Sequence, residues 1–276
     1  MNSSTAAPRH HLSYPEALAG LRAAQKPGQG VPAYTRWVNR PLARRAAARA
    51  AADGLTANAV TGLSAVLSAA GLAVLVAIPP TVVTGLVVAV LLAAGYVMDS
   101  ADGQVARLTG TGSPAGEWLD HVVDSVRTPA VHLAVLASWL VHGVPAGTAP
   151  ALAVGLPMLF VLVETGQFMS QILAEQLRRR GGIGGPSAGG TLRSFLNLPT
   201  DAGVTCWIFV LWGVPALFVP AYAALLLALA AIAAVSMRRK YVGLVPRSAA
   251  APARPSTPVP DHSSVPSDSR SASDVH

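Results

Sequence analysis

Long apolar stretches recur along this chain, at about 58–78, 82–105, 118–141, 150–174, 202–217 and 219–236. Most approach the ~20 residues that an α-helix needs to cross the hydrocarbon core of a bilayer. Hydrophobic residues make up 52% of the chain, charged residues 12%, and the mean hydropathy is +0.47, too apolar for an ordinary soluble domain. The sequence predicts an all-α, polytopic integral membrane protein with six transmembrane helices. The last two stretches are short, with Gly213, Pro215 and Pro220 between them, so 202–236 read in isolation also fits one long irregular segment. Charge placement decides for two. The loops expected outside, near 79–80, 142–149 and 215–220, hold no Lys or Arg. Arg36 to Arg49, Arg107, Arg178, Arg179, Arg180, Arg193, Arg238, Arg239 and Lys240 all fall on the other side. That is the positive-inside asymmetry of a cell-membrane protein with both termini in the cytoplasm, and five spans would spoil it.

The flanks divide the rest. Residues 1–30 are polar and punctuated by Pro8, Pro15, Pro27, Gly28 and Gly30, with no apolar core of signal-peptide length. They are expected to form a disordered cytoplasmic lead. Residues 31–54 favour helix through alanine and arginine, with Pro41 suited to a first turn. Arg36, Arg40 and Arg44 form one ridge, Val38, Leu42 and Ala46 another, and Trp37 suits headgroup depth, so an amphipathic juxtamembrane helix at the interface is predicted. Residues 55–245 are the six-helix membrane domain. Residues 246–276, rich in Pro, Ser, Ala and Asp, have the composition of a disordered tail. The net charge of +7 is placed by topology, and no nucleic-acid partner is expected of so apolar a chain. The single cysteine, Cys206, sits in an apolar run and excludes an intrachain disulfide.

Between the second and third stretches lies DSADGQVARLTGTGSPAGEWLDHVVD, from Asp99 to Asp124. Asp99 and Asp102 are three apart, Asp120 and Asp124 four apart, spacings that put each pair on one helical face. A short loop between them can fold one helix back on the other. Four acids converging in apolar surroundings repel and lose hydration unless a cation neutralises them. All-oxygen ligands suit a hard divalent ion, Mg2+ or Mn2+. Gly103, Ala106 and Gly116 remove side chains where a ligand or another backbone must come close. Arg107 offers a planar cationic fork for phosphate. Each feature has a plainer reading alone: a turn at Asp102-Gly103, an interfacial acid, helix packing by Gly and Ala.

The pattern Asp99-x2-Asp102-Gly103-x2-Ala106-Arg107-x8-Gly116-x3-Asp120-x3-Asp124 resembles the signature of the CDP-alcohol phosphotransferase family, with eight specified residues filled at the family spacing over twenty-six positions. The resemblance implies a six-helix membrane enzyme that moves a substituted phosphate group, phosphatidyl in the commoner case, from a CDP-linked donor to an alcohol in phospholipid biosynthesis and releases CMP. It implies divalent metal on Asp99, Asp102, Asp120 and Asp124, with Asp124 also the general base. A metal-bound carboxylate is a weak base, so Asp124 is expected to engage the metal only loosely. Family members often carry Thr-Pro-Asn before the first span. Here Ala57 replaces the proline, while Asn58 and Thr61 match and join Gly103, Ala106, Arg107 and Gly116 as candidate donor-binding residues. Thr56 or Asn58 would equally serve as a helix cap. Arg127 and Arg193 are the candidate acceptor contacts. A homodimer is expected, with membrane lipid, the CDP-linked donor and the alcohol acceptor as partners.

Glu164 lies deep in the fourth stretch, where an ionisable residue is a functional candidate, yet a bond to Gln167 or to a neighbouring helix explains it equally well. The loop at 175–201 holds Arg178, Arg179 and Arg180, most simply topology and headgroup contacts, then a glycine-rich run without the βαβ unit of a nucleotide fingerprint. Two rival functions fit some of these features. A membrane prenyltransferase also pairs Asp-rich motifs with magnesium diphosphate, but would lack Gly103, Ala106, Arg107 and Gly116 at these places. A cation transporter wants acids at mid-membrane on several helices, whereas here four cluster at one side.

Overall fold

A computed structural model describes residues 12–23, 28, 30–182 and 190–245, and every regular element among them is helical. Helices α1 (Tyr14–Ala23) and α2 (Arg40–Ala52) precede four long helices: α3 (Ala57–Ala77), α4 (Val82–Thr109), α5 (Pro114–His142) and α6 (Pro150–Arg180). Short α7 (Thr191–Leu196) and α8 (Ala202–Trp207) follow, α8 continuing as a 3-10 turn to Leu211, and α9 (Pro215–Leu244) ends the described chain. The tail at 246–276 and the glycine-rich run at 183–189 lie outside the described residues.

Local chemistry explains where the long helices begin and end. Thr56, Thr81 and Ser113 each accept a backbone N–H of the first turn of α3, α4 and α5, at 3.2, 3.0 and 3.1 Å. Thr56 thus takes the capping role and leaves the Asn58 side chain to other uses. Gly110 ends α4 in the left-handed region at φ 66°, the conformation that glycine supplies at a helix C-terminus. Four residues therefore suffice to turn α4 into α5. Helices α3 and α4 approach closely through small residues: a Cβ on Gly95 would collide with the Ser68 hydroxyl, and Ser64 Oγ donates to Gly95 O at 2.8 Å.

Four helices, α3, α4, α6 and α9, are long and apolar enough to cross a membrane. Their outward residues include Val66, Val83, Leu162 and Leu227, all strongly exposed, as lipid-facing side chains are. Helix α5 has the length but carries the acids, Arg127 and His132. The fifth predicted span is not one long helix. Ala202–Leu211 is too short to cross alone, because Trp212 and Gly213 turn the chain before Pro215 opens α9. Pro220 does not end a helix either; it sits in the first turns of α9, which starts at Pro215, four residues before the start expected near 219.

The N-terminal lead departs from expectation over Tyr14–Ala23, which is helical rather than disordered. Ala17 and Leu21, one turn apart, are buried with Ala43, Ala47, Val60, Ala101 and Val105 in a small-residue core. Two apolar positions are too weak a pattern to stand out in a polar stretch. Helix α2 uses a third face, unforeseen beside the arginine and Val38–Leu42 ridges: Ala43, Ala47, Ala50 and Ala51 are buried, while Trp37, Val38 and Leu42 are exposed. A second core joins Phe160, Phe209, Trp212, Phe218, Tyr222 and Trp139 among α4, α5, α6, α8 and α9. A latch closes the fold at 166 residues' separation. Asp201, 1% exposed, accepts the Thr35 backbone N–H and hydroxyl, both at 2.8 Å, and Thr35 also bonds the Tyr96 hydroxyl of α4 at 2.6 Å.

Candidate active site

The α4–α5 hairpin sets Asp99 of α4 against Asp120 and Asp124 of α5. One carboxylate oxygen of each lies within 4.8 Å of the others. All three are partly buried. Arg127, one turn beyond Asp124, answers two of them: it donates to Asp124 Oδ1 and lies 3.2 Å from Asp99 Oδ1. Its other contact is Ser64 Oγ of α3, at 3.3 Å. The approach to Asp99 is off the hydrogen-bonding direction, so Asp99 Oδ1 is buried without a hydrogen bond. A buried, unsatisfied carboxylate oxygen facing two further carboxylates is what a metal ligand looks like before its ion is counted. The donor set is all oxygen, so the residues present fit a hard divalent cation.

Asp102 stands apart from this group. It is 5% exposed; one oxygen accepts the Thr61 hydroxyl at 2.6 Å and the other the Gly103 backbone N–H. Thr61 is buried as well, so its visible task is to hold Asp102. A Cβ on Gly103 would meet nothing but Arg107 Nη1, at 3.3 Å, one turn on along the same helix. No other helix packs on Gly103, which removes the plain packing explanation for this glycine. Gly116 does have a neighbour: a Cβ there would lie 3.4 Å from Asn58 Oδ1, so the start of α5 and the exposed Asn58 side chain converge. Ala106 is half-buried on the face of Asp102, and Arg107 is exposed. Arg40 of α2, its guanidinium pulled below its usual range by burial, lies within electrostatic reach of Arg107; in the sequence Arg40 stood out only as part of the ridge with Arg36 and Arg44.

A cavity of about 1350 Å³ opens on the opposite side of the acids. Asp99, Asp124, Arg127 and Thr128 line it, with Arg178, Arg193, Arg239 and Lys240 at one end and Glu164, Gln167 and Val131 deeper in. Asp102, Asp120, Asn58, Thr61, Gly103 and Arg107 do not. The acids thus differ in surroundings: Asp102 stands among the small residues of α3 and α4, and Asp99 and Asp124 border the cavity against α6 and α9. Arg127 and Arg193 both line the cavity, and Arg127 is also the clamp between Asp99 and Asp124, a task its sequence position did not disclose.

Glu164 is bonded to a neighbouring helix rather than to Gln167. Its Oε2 lies 2.9 Å from Nε2 of His132 on α5, and His132 Nδ1 lies 2.6 Å from the Tyr222 hydroxyl of α9. The His132 ring is fully buried and stacks on Phe160 at 4.2 Å. Sequence reasoning missed His132 and Tyr222. The available signal was a histidine inside an apolar stretch, eight residues past Asp124, as unusual there as Glu164 itself.

An all-helical chain with membrane-length apolar helices, a carboxylate cluster between two of them and a basic-ended cavity beside it defines a membrane protein built to handle a charged, metal-associated ligand. The model of the CDP-alcohol phosphatidyltransferase family matches residues 54–237, two thirds of the sequence, and the chain belongs to that family. It is thus a multi-pass membrane transferase of phosphate-alcohol groups. No curated protein sequence matches it significantly.

Proposed function

We propose that this chain transfers a phosphatidyl group from a CDP-linked lipid to an alcohol and releases CMP, as a divalent-metal enzyme of phospholipid synthesis. The observation that carries this reading is the carboxylate cluster of Asp99, Asp120 and Asp124 at the edge of a basic-ended cavity. The donor would lie over Asn58, Thr61, Gly103, Ala106, Arg107 and Gly116, where backbone is bare and Arg107 and Arg40 offer cationic forks to phosphate. The acceptor would enter the cavity lined by Arg127 and Arg193, whose basic end suits an anionic or phosphate-bearing alcohol. Asp99, Asp120 and Asp124 would hold the ion, Asp102 completing the set through its remaining lone pairs. Bound there, Mg2+ or Mn2+ would offset charge on the phosphoryl oxygens and the leaving CMP.

Asp124 faces both the cluster and the cavity, so it is placed to take the proton of the attacking hydroxyl. Its bond to Arg127 orients the carboxylate. Thr61 holds Asp102, and Ser64 holds Arg127, so α3 supports both sides of the cluster. The attack is a direct in-line displacement at the phosphorus distal to cytidine.

The topology that serves this reaction has six crossings, both termini and the site in the cytoplasm, and α2 at the interface. Helix α5 would cross with its charged residues turned to the cluster and cavity. The fifth crossing would be 201–213, irregular but packed along α4: Asp201 bonds Thr35, which bonds Tyr96 of α4, at one level, and Gly213 abuts Thr81 and Val82 at the other. Non-helical backbone is tolerable at membrane depth where protein covers it. Trp37 packs 5.2 Å from Phe195, and with exposed Leu42, Leu192 and Leu196 forms an apolar patch beside Arg36, as an interfacial element requires. The membrane domain would span 55–245, and two copies would form the working homodimer.

The test is CMP release from CDP-diacylglycerol by the purified protein with and without Mg2+ across a panel of alcohols. Metal- and alcohol-dependent release of CMP is the expected result. Release of inorganic diphosphate from a prenyl diphosphate, or ion flux without CMP, would replace the reading by one of its rivals.

A further inference from the structure

We infer that the deep end of the cavity is a polyol subsite, in which Glu164 and Gln167 accept hydrogen bonds from hydroxyls of a water-soluble acceptor. The inference rests on the transferase reading and adds the chemical class of its second substrate. Helix α6 carries a polar stripe: Glu164, Gln167, Gln171 and Arg178 recur at one-, two- and four-turn intervals from Glu164, and all four line the cavity. Leu162, Met169 and Leu173 of the same helix are exposed instead. Polar side chains at membrane depth are costly unless they face protein partners or a wet cavity. A cavity meant for an acyl chain would gain nothing from such a stripe and would lose its hydration.

The groups offered are acceptors. Gln167 Oε1 is buried without a hydrogen bond. Glu164 has one oxygen committed to His132, and one proton arrangement satisfies the whole chain of bonds: the Tyr222 hydroxyl donates to Nδ1, and Nε2–H donates to Glu164. His132 is then neutral, and the second oxygen of Glu164 is left to the cavity. Stacking on Phe160 fixes the ring, so His132 and Tyr222 are positioning residues that hold a carboxylate in place, and they do not touch the ligand. Hydroxyls are the matching donors, since an alcohol can give a proton to each oxygen and remain uncharged.

Depth agrees with this use. Helices α5 and α6 are antiparallel, with Glu117 near the start of one paired to Arg179 at the end of the other. His132 lies eight residues beyond Asp124, about 12 Å along α5, and Glu164 meets it at that level. Gln167 is one turn nearer to Asp124. A small polyol lying along the cavity can present one hydroxyl to Asp124 and more distant ones to Gln167 and Glu164.

The experiment compares acceptors and variants by CMP release from CDP-diacylglycerol in detergent. Glycerol, inositol and their monophosphates are expected to support release, while diacylglycerol, phosphatidylglycerol and serine do not. Glu164→Gln and, separately, Gln167→Leu should raise the acceptor KM about tenfold or more and leave the KM for CDP-diacylglycerol unchanged. His132→Asn should raise the acceptor KM less. Release supported best by a lipid alcohol or by serine overturns the subsite and leaves the transferase intact. So does an acceptor KM unmoved in Gln167→Leu together with a fall in kcat alone in Glu164→Gln. Absence of CMP release from the unaltered protein with every acceptor overturns the transferase reading, and the subsite with it.

Discussion

Two sets of buried carboxylates in this chain are handled in opposite ways. At Asp99, Asp120 and Asp124 three acids share one arginine, and an oxygen of Asp99 is left without a hydrogen bond. At Glu164 one acid meets one histidine, which is itself bonded to Tyr222 and stacked on Phe160. The first set crowds three acids around one arginine; the second is a single acid with one oxygen held by a hydrogen-bonded chain of the fold. Burying an unpaired carboxylate is expensive, so an unanswered set persists where something outside the chain completes it. A lone carboxylate fixed by a hydrogen bond does not gather the oxygens an ion needs and can serve recognition with the oxygen its partner leaves over.

The contrast is sharpest at Asp124. Asp124→Asn should lower turnover ~10²–10⁴-fold, the usual contribution of general-base catalysis, with smaller changes in metal and donor affinity. Turnover measured against Mg2+ or Mn2+ concentration checks it. Recovery by extra metal as full as that of the other acids would make Asp124 a ligand alone.

Next in size, Asp120→Asn or Asp99→Asn should cost ~10²-fold or more at low metal, and added metal should restore part of it, because ligand loss weakens binding before it blocks chemistry. Glu164→Gln, by contrast, should show no metal dependence. Equal metal rescue at Glu164 would erase the distinction between the two sets.

Arg127 gives a stability test of the same contrast. Removing its charge strands Asp99 and Asp124, so Arg127→Gln should destabilise the protein by about 3 kcal/mol when metal is chelated. Millimolar Mg2+ should recover much of that, since a ligand of the folded state stabilises by mass action. Thermal unfolding in detergent, with and without chelator, measures it. A loss of the same size in both conditions would mean that no ion binds beside Arg127.

The smallest predicted effect lies at Gly103. Only the Arg107 guanidinium is near, so Gly103→Val should leave the helix pair intact. It should weaken CDP binding by about tenfold, ~1.4 kcal/mol, if nucleotide lies against that backbone. Unchanged affinity would move the donor elsewhere.

The acids were legible because their spacing alone determines that each pair shares a helical face, and the short turn after Gly110 determines that the pairs meet. What sequence could not give is which faces of distant helices touch. Glu164 was visible as an anomaly, but His132 became its partner only through the packing of α5 on α6. Arg127 was visible as a candidate for the acceptor, but its clamp on Asp99 depends on the rotation of α4 against α5. Asp102 was grouped with the other acids because i, i+3 spacing cannot show that Thr61 and Gly103 already engage both of its oxygens. The break in the segment after Asp201 was not legible because hydropathy counts apolar residues and does not register that Trp212 and Gly213 cut its helix short. Helix α1 escaped notice because two small apolar residues carry its packing.

The Asp201 latch has a consequence for the order in which this protein is made. Thr35 leaves the ribosome 166 residues before its partner. At about 5–20 residues per second, the N-terminal segment waits roughly 10–30 s for Asp201 to appear. During that interval Thr35 has no Asp201 to bond to. The growing chain therefore acquires its N-terminal segment first, its acid hairpin second, and the clasp that holds the two together only when nearly three quarters of it has been synthesised.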